Sequence, residues 1–336
     1  MSLKLKPISK QVIVVTGASS GIGLVTARMA AERGACVVLA ARNAEVLQEL
    51  EDEICQRGGS AIAVETDVAQ RDQVEALARA ALAKYGRIDT WVNNAGLSIV
   101  GRLRDIPEED LRQLFDINFW GLVYGSLTAA EYLQREGGAI VNLGSIASDM
   151  SIPLQGMYAA TKHAVKGFTD ALRMELEEED LPISLTLIKP ASIDTPFPQH
   201  ARNYLPREPK LPDPAYPPEE VARAILYAAE HKCRDINVGG AGKMMTTAAA
   251  VMPRLSDFFG ERILMQQQQR NEPARDTVGA LAGPGRDGQV RGSHPGIVMN
   301  SSLYTRAVTH PVATGALLAS VGLATAALIG SLRPRH

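Results

Sequence analysis

Cysteine is scarce in this chain: three residues, Cys36, Cys55 and Cys233, in 336. An odd number at wide spacing excludes both a disulfide scaffold and a C-x-x-C zinc site. Buried thiols in a reducing compartment are the simpler expectation. An excess of charge of either sign is also missing, since the formal net charge is −2 with 21% charged residues. That balance removes a general basic field for nucleic acid or an anionic membrane. The N-terminus "MSLKLKPISKQVIVVTG" has too short an apolar run for a signal peptide. No internal repeat is found. The acidic run from Glu175 to Asp180 lacks metal-ligand spacing and reads as the solvated end of a helix.

What is present is an alternation of short β-branched runs with longer helical stretches between Gln11 and about Glu230. Strands are expected at "VIVVTG", "CVVLAA", "AIAVETDV", "IDTWVNNAG", "AIVNLGS", "ISLTLIKP" and "DINVGG". Runs this apolar suit strands covered on both faces, so the pattern predicts an α/β fold, a Rossmann-like doubly wound parallel sheet of seven strands flanked by helices. The stretch Gln73–Gly86 has helical spacing and ends on a glycine able to take the left-handed turn.

Composition divides the rest of the chain. Residues 1–250 read as one catalytic domain, within which 194–218 is a proline-rich loop placed to cover a substrate. Residues 251–265 read as an amphipathic segment packing on the core, and 266–300, rich in Gly, Pro and polar residues, as a flexible linker. An apolar tail occupies 301–336.

The first strand runs into Gly17-Ala18-Ser19-Ser20-Gly21-Ile22-Gly23 and then an apparent helix. Glycines there let the backbone approach a diphosphate, whose charge sits at the positive end of the helix dipole. After the second strand, Ala41 stands where an NAD site places an acid, and Arg42 follows, suited to a 2′-phosphate. NADP(H) is therefore preferred, with NAD(H) possible. Farther on, Tyr158 and Lys162 stand four residues apart and share one helix face. A tyrosine titrates near ~10, and a neighbouring ammonium is expected to lower that value and make a usable acid/base group. His163 should face elsewhere.

These motifs, with "NNAG" at Asn93–Gly96, "FDINFWG" and "KPASIDTP", resemble those of the short-chain dehydrogenase/reductase family over roughly residues 8–245. The resemblance implies a catalytic set of Asn118, Ser145, Tyr158 and Lys162. Ser145 would hold the substrate oxygen, the Asn118 carbonyl a water leading to Lys162, and Lys162 the nicotinamide ribose. It also implies cofactor contacts from the glycine turn (Gly17, Ser19, Ser20, Gly21, Ile22, Gly23), Arg42, Asp67 and Val68 at adenine, Asn94, Ala95, Gly96, Tyr158 and Lys162 themselves, and Pro190, Ile193 and Thr195 near the nicotinamide and diphosphate. Ala191 departs from the pattern, which has glycine after the proline. The implied activity is hydride transfer between a nicotinamide and a small apolar carbonyl or alcohol, with no metal and no nucleic-acid partner, in a homo-oligomer. The alternative is a non-catalytic NADP-binding sensor or scaffold. Ile146, Ala147, Met150, Ile152, Leu154 and Met157 suggest an apolar pocket.

The segment Val312–Leu332 has 21 residues without a charge, about 31 Å as a helix, enough for a bilayer core of ~30 Å. Its Ala, Gly, Ser and Thr content weakens insertion, and "RPRH" would lie on the wrong side for a cytoplasmic catalytic domain. Small residues four apart, Gly315/Ala319 and Ser320/Ala324, suit close helix packing. Both a membrane helix over 312–332 and a helix docked on protein fit this stretch.

Overall fold

The apolar runs form strands because each face of each strand finds a helix layer. In β1 (Val12–Thr16) all five residues are buried. Val12 and Val14 join one core cluster, Ile13 and Val15 the other, as the two-residue period of a strand requires. The computed structural model describes residues 3–285, 287–292, 294–310 and 314–315. Its main sheet continues with β2 (Cys36–Ala41), β3 (Ser60–Glu65), β4 (Thr90–Asn93), β5 (Gly138–Leu143), β6 (Ile183–Pro190) and β7 (Asp235–Val238). All neighbours are parallel, in the order β7-β6-β5-β4-β1-β2-β3. The order reverses between β1 and β4, which opens a crevice at the strands' C-terminal ends, where such sheets bind ligands.

Helices α1 (Gly21–Glu32) and α2 (Ala44–Gln56) pack on the face carrying Ile13 and Val15. On the opposite face lie α3 (Arg71–Tyr85), α4 (Glu108–Phe115), α5 (Gly121–Leu133) and α6 (Gly156–Glu178). Gly86 caps α3 at φ 74°, and its N–H donates to the Leu82 carbonyl, matching the expected left-handed stop. Helix α7 (Pro218–Glu230) returns to the α1 side. Of the cysteines none is fully buried and Cys55 is exposed, contrary to expectation, because Cys55 falls on the outer side of α2.

The C-terminal part differs most from its sequence reading. After α8 (Gly240–Val251) and α9 (Pro253–Phe259), only Leu264 of the 251–265 stretch is buried, while Leu255, Phe258, Phe259 and Ile263 are exposed. The amphipathic segment thus turns its larger apolar residues outward. Nor do the described residues of 266–300 follow the path of a free linker. Gln269–Pro273 pairs antiparallel with Arg207–Pro209, Gln268 is fully buried, and Ala215 and Val298 form a bridge. Backbone groups hold this stretch together with polar side chains such as Gln268, Asp287 and His294, whose partners composition alone does not reveal. Beyond it α10 (Leu303–Thr309) docks beside β7, where Thr305 Oγ1 accepts from the Gly239 N–H at 3.1 Å. Apart from residues 314–315, the apolar segment 312–332 lies outside the described residues. Among the described residues no helix is long and apolar enough to cross a membrane.

Candidate active site

The crevice forms a cavity of about 250 Å³ that runs from Arg42, Asp67 and Val68, past Gly17 and Asn94, to Ser145, Tyr158 and Lys162. Its floor is the glycine turn. Gly17 takes φ 68°, and a Cβ there would lie 2.9 Å from Ala95 Cα. A Cβ on Gly23 would lie 2.0 Å from the Gly17 carbonyl oxygen, so this glycine sets how closely α1 packs on the turn. Asn94 Nδ2 ties down the same turn by donating to the carbonyls of Thr16 at 2.9 Å and Gly17 at 3.2 Å. Asn93 faces away from the cavity. Its amide donates to Asn142 Oδ1 at 2.8 Å and Ser126 Oγ at 3.0 Å in a buried polar network between β4, β5 and α5.

At one end, the carboxylate of Asp67 accepts from the Ala69 N–H at 3.0 Å, and its own N–H donates to Gln73 Oε1. Burial pulls the Arg42 guanidinium below its ordinary pKa, while the nearby carboxylates of Asp67 and Asp287 raise it. At the other end, Pro190 closes β6, Ile193 and Thr195 follow it into the cavity lining, and Ala191 N–H donates to the Val238 carbonyl at 2.8 Å. The methyl of Ala191 is accommodated by two glycines: a Cβ on Gly239 or Gly242 would approach it to 2.8 or 2.7 Å. The departure at 191 is thus matched by missing side chains nearby.

Tyr158 and Lys162 both lie buried on the inner face of α6. The ammonium donates to the Leu143 carbonyl at 2.8 Å and stands 5.8 Å from the centre of the tyrosine ring. Desolvation of the phenol outweighs the expected lowering of Tyr158. Burial pushes Tyr158 up to about 12, opposed by a hydrogen bond with Ser145, and pulls Lys162 down to about 8. Ser145 caps a short 3₁₀ turn, its Oγ accepting from the Ala147 N–H at 3.1 Å. Asn118 does not line the cavity. It sits fully buried in a π-helical turn, Asp116–Trp120, between α4 and α5, and its side chain clamps both backbone groups of Leu97. Such a turn breaks the usual α-helical hydrogen-bond ladder, a feature frequent at functional sites. His163 is exposed on α6, as expected.

The substrate side is walled by Ile146, Met150 and Ile152, whereas Ala147, Leu154 and Met157 fall outside the lining. Phe197 and Leu211 of the 194–218 loop complete it, together with three neighbours not foreseen, Gln155, Met245 and Leu264. Phe197 meets the Tyr158 ring edge-on at 5.5 Å between centroids. Gln155 accepts from Ser98 Oγ at 3.2 Å and donates to Gln268 Oε1 at 2.7 Å, joining the pocket wall to the C-terminal segment. No motif marks Gln155, Met245 or Leu264, which stand at the start of α6, within α8 and in the helical turn after α9. Among the described residues no group of His, Cys, Asp and Glu could hold a metal ion.

Comparison with known proteins agrees with this geometry. The family model described as short chain dehydrogenase matches residues 11–205. The chain is 45% identical over 323 residues to YxnA of Bacillus subtilis, described only as an uncharacterized oxidoreductase, covering 95% of this chain and 91% of the relative. A short-chain type dehydrogenase/reductase from Mycobacterium marinum superposes with TM-score 0.62 at 30% identity, covering 70% of this chain and 96% of that one. An alcohol dehydrogenase from Thermococcus sibiricus, solved in complex with 5-hydroxy-NADP, superposes with TM-score 0.60 at 26% identity, covering 68% and 95% of the two chains.

Proposed function

This chain belongs to the short-chain dehydrogenase family and is an oxidoreductase of CH–OH and C=O groups; we propose that it uses NADP(H) to interconvert an apolar carbonyl compound and its alcohol. The observation that carries the proposal is one continuous cavity with a phosphate cradle and a guanidinium at one end and a buried Ser-Tyr-Lys set at the other. The cradle fits a dinucleotide: Gly17 and Gly23 leave no room for a Cβ, and α1 aims its N-terminus at the crevice. Residues Gly17 to Ile22, Asn94 and Thr195 would hold the diphosphate and ribose, Asp67 and Val68 the adenine, and Arg42 the 2′-phosphate. When bound, the nicotinamide supplies or accepts the hydride.

The chain's own residues do the rest. Ser145 holds the substrate oxygen against the phenol. In reduction, Tyr158 keeps its proton until negative charge develops on that oxygen and then donates it; in oxidation, it removes the proton. Lys162 supplies the positive charge beside the phenolate. The apolar wall of Ile146, Met150, Ile152, Met245 and Leu264 excludes water and selects an uncharged substrate. NADPH oxidation with a panel of apolar ketones tests the reading, and NADPH binding without turnover of any of them would favour a sensor.

A specific observation also bears on location. Met244, Val251, Leu255, Phe258 and Phe259 are exposed on α8 and α9, among the exposed and mutually balancing Arg254, Asp257, Glu261 and Arg262, and next to Met245 of the cavity wall. This apolar face suits peripheral contact with a lipid surface from which an apolar substrate enters. Sedimentation with phosphatidylcholine vesicles, lost in a Phe258→Ser, Phe259→Ser protein, is the expected result. Wild-type protein that stays in the supernatant would contradict it.

A further inference from the structure

The roof over the adenosine end comes from residues 280–285 and 287–291, which none of the dinucleotide motifs includes. Their contacts fall on the very groups that the cofactor reading assigns to phosphate. Arg42 donates through Nη2 to the Ala280 carbonyl at 2.5 Å and through Nη1 to the Leu281 carbonyl at 3.2 Å. Asn43 Nδ2 donates to the Asp287 carboxylate at 3.1 Å. The Gly21 N–H, at the start of α1, donates to the Gln289 carbonyl at 2.8 Å, and the Gly288 N–H donates to the Ser19 carbonyl at 2.8 Å. Leu281, only 3% exposed, belongs to the same apolar cluster as Val68 and Ile117, and Gln113 donates to its carbonyl at 3.0 Å.

The segment therefore presents oxygen acceptors to a guanidinium and to a helix N-terminus, as a phosphate would. A guanidinium has a planar fork of donors, and the two donors given to carbonyls are withdrawn from a phosphate. We propose that this strap competes with the cofactor's 2′-phosphate for Arg42, so that the strap, together with Arg42, sets the discrimination between NADPH and NADH. The inference rests on the cofactor reading above. NADH leaves the bonds from Arg42 to the strap in place, whereas NADPH has to exchange them. Asp287 adds to the effect by keeping a carboxylate beside the incoming phosphate, where like charges repel.

The test uses the full chain, with Asp287→Ala and Leu281→Ala as separate variants, and titrates NADPH and NADH calorimetrically. Asp287→Ala guards against loss of fold, because it deletes a side-chain bond rather than core packing; unchanged melting temperature identifies it as folded. Both variants are expected to bind NADPH about three- to tenfold more tightly, the scale of one released hydrogen bond, with NADH changed by less than about twofold. Either diphosphate would displace Gln289 from the Gly21 N–H, so both cofactors are expected to reduce hydrogen-exchange protection of the Gly288 amide, NADPH more than NADH because it also takes Arg42 from the strap. Weaker NADPH binding by folded Asp287→Ala, an unmoved NADPH/NADH ratio, or greater Gly288 protection with NADPH would overturn the competition while leaving the cofactor assignment standing. If neither wild type nor variants bind either dinucleotide, the cofactor reading fails and this inference fails with it.

Discussion

The two ends of the cavity are built in different ways. The end around Tyr158 uses closely spaced motifs, with Tyr158 and Lys162 on one turn of α6 and Ser145 just after β5. At the other end Arg42, directly after β2, meets Ala280 and Leu281 from almost 240 residues farther along. The first arrangement depends on side-chain chemistry at fixed spacing, the second on backbone carbonyls that almost any sequence supplies. Chemistry at one end and cofactor choice at the other should therefore respond to separate substitutions.

The largest effect separates them outright. Tyr158→Phe removes the acid/base proton and should lower kcat by about 10² to 10⁴, while NADPH affinity stays near wild type. Parallel steady-state kinetics and calorimetry would show this; a large loss of affinity would mean that Tyr158 serves binding more than chemistry. Next, Gly23→Ala forces a methyl against the Gly17 carbonyl and should weaken NADPH and NADH alike by about ten- to a hundredfold, the scale of an overpacked site. Arg42→Asp should cost NADPH about tenfold or more relative to NADH, because it removes a charge-assisted hydrogen bond. An unchanged ratio would remove Arg42 from cofactor choice.

The smallest effect is one of stability. Buried Lys162 titrates near 8, against 10.5 for the unperturbed group. Between those values the unfolded chain binds more protons, so this residue makes stability rise with pH across that window. Tyr158, raised from 10.0 to about 12, acts in the opposite sense only above 10. From pH 8 to 10, Lys162→Met should therefore lack a rise of about 2 to 6 °C in melting temperature that the wild type shows. Parallel melting curves would contradict the burial of a protonatable amine.

Much of this architecture was legible because its signals are periodic or chemical. All seven strands follow from apolar runs, and the glycine turn from spacing that only a close backbone approach demands. The strand end at Arg42 and the helical repeat of Tyr158 and Lys162 can be read from the residues, whereas Asp67 and Ser145 come from the family resemblance; all five line the one cavity. The Tyr158 pKa runs opposite to the spacing argument because spacing along α6 says nothing about how deeply the phenol is buried. Residues 266–300 were read as a linker because composition records hydrophobicity, whereas Gly288 and Gln289 are held through main-chain groups. Pocket members such as Met245 and Leu264 carry no local signal, since the packing of their helical segments decides whether an apolar residue faces a cavity, the core or solvent.

The central claim is that one cavity binds NADPH and reduces an apolar carbonyl group. The most direct measurement follows NADPH binding and NADPH oxidation by the full chain across a graded set of uncharged ketones. Saturable oxidation of at least one apolar ketone, abolished in Tyr158→Phe, is the predicted result. Tight NADPH binding with no oxidation by any of them, or turnover that survives in Tyr158→Phe, would contradict it.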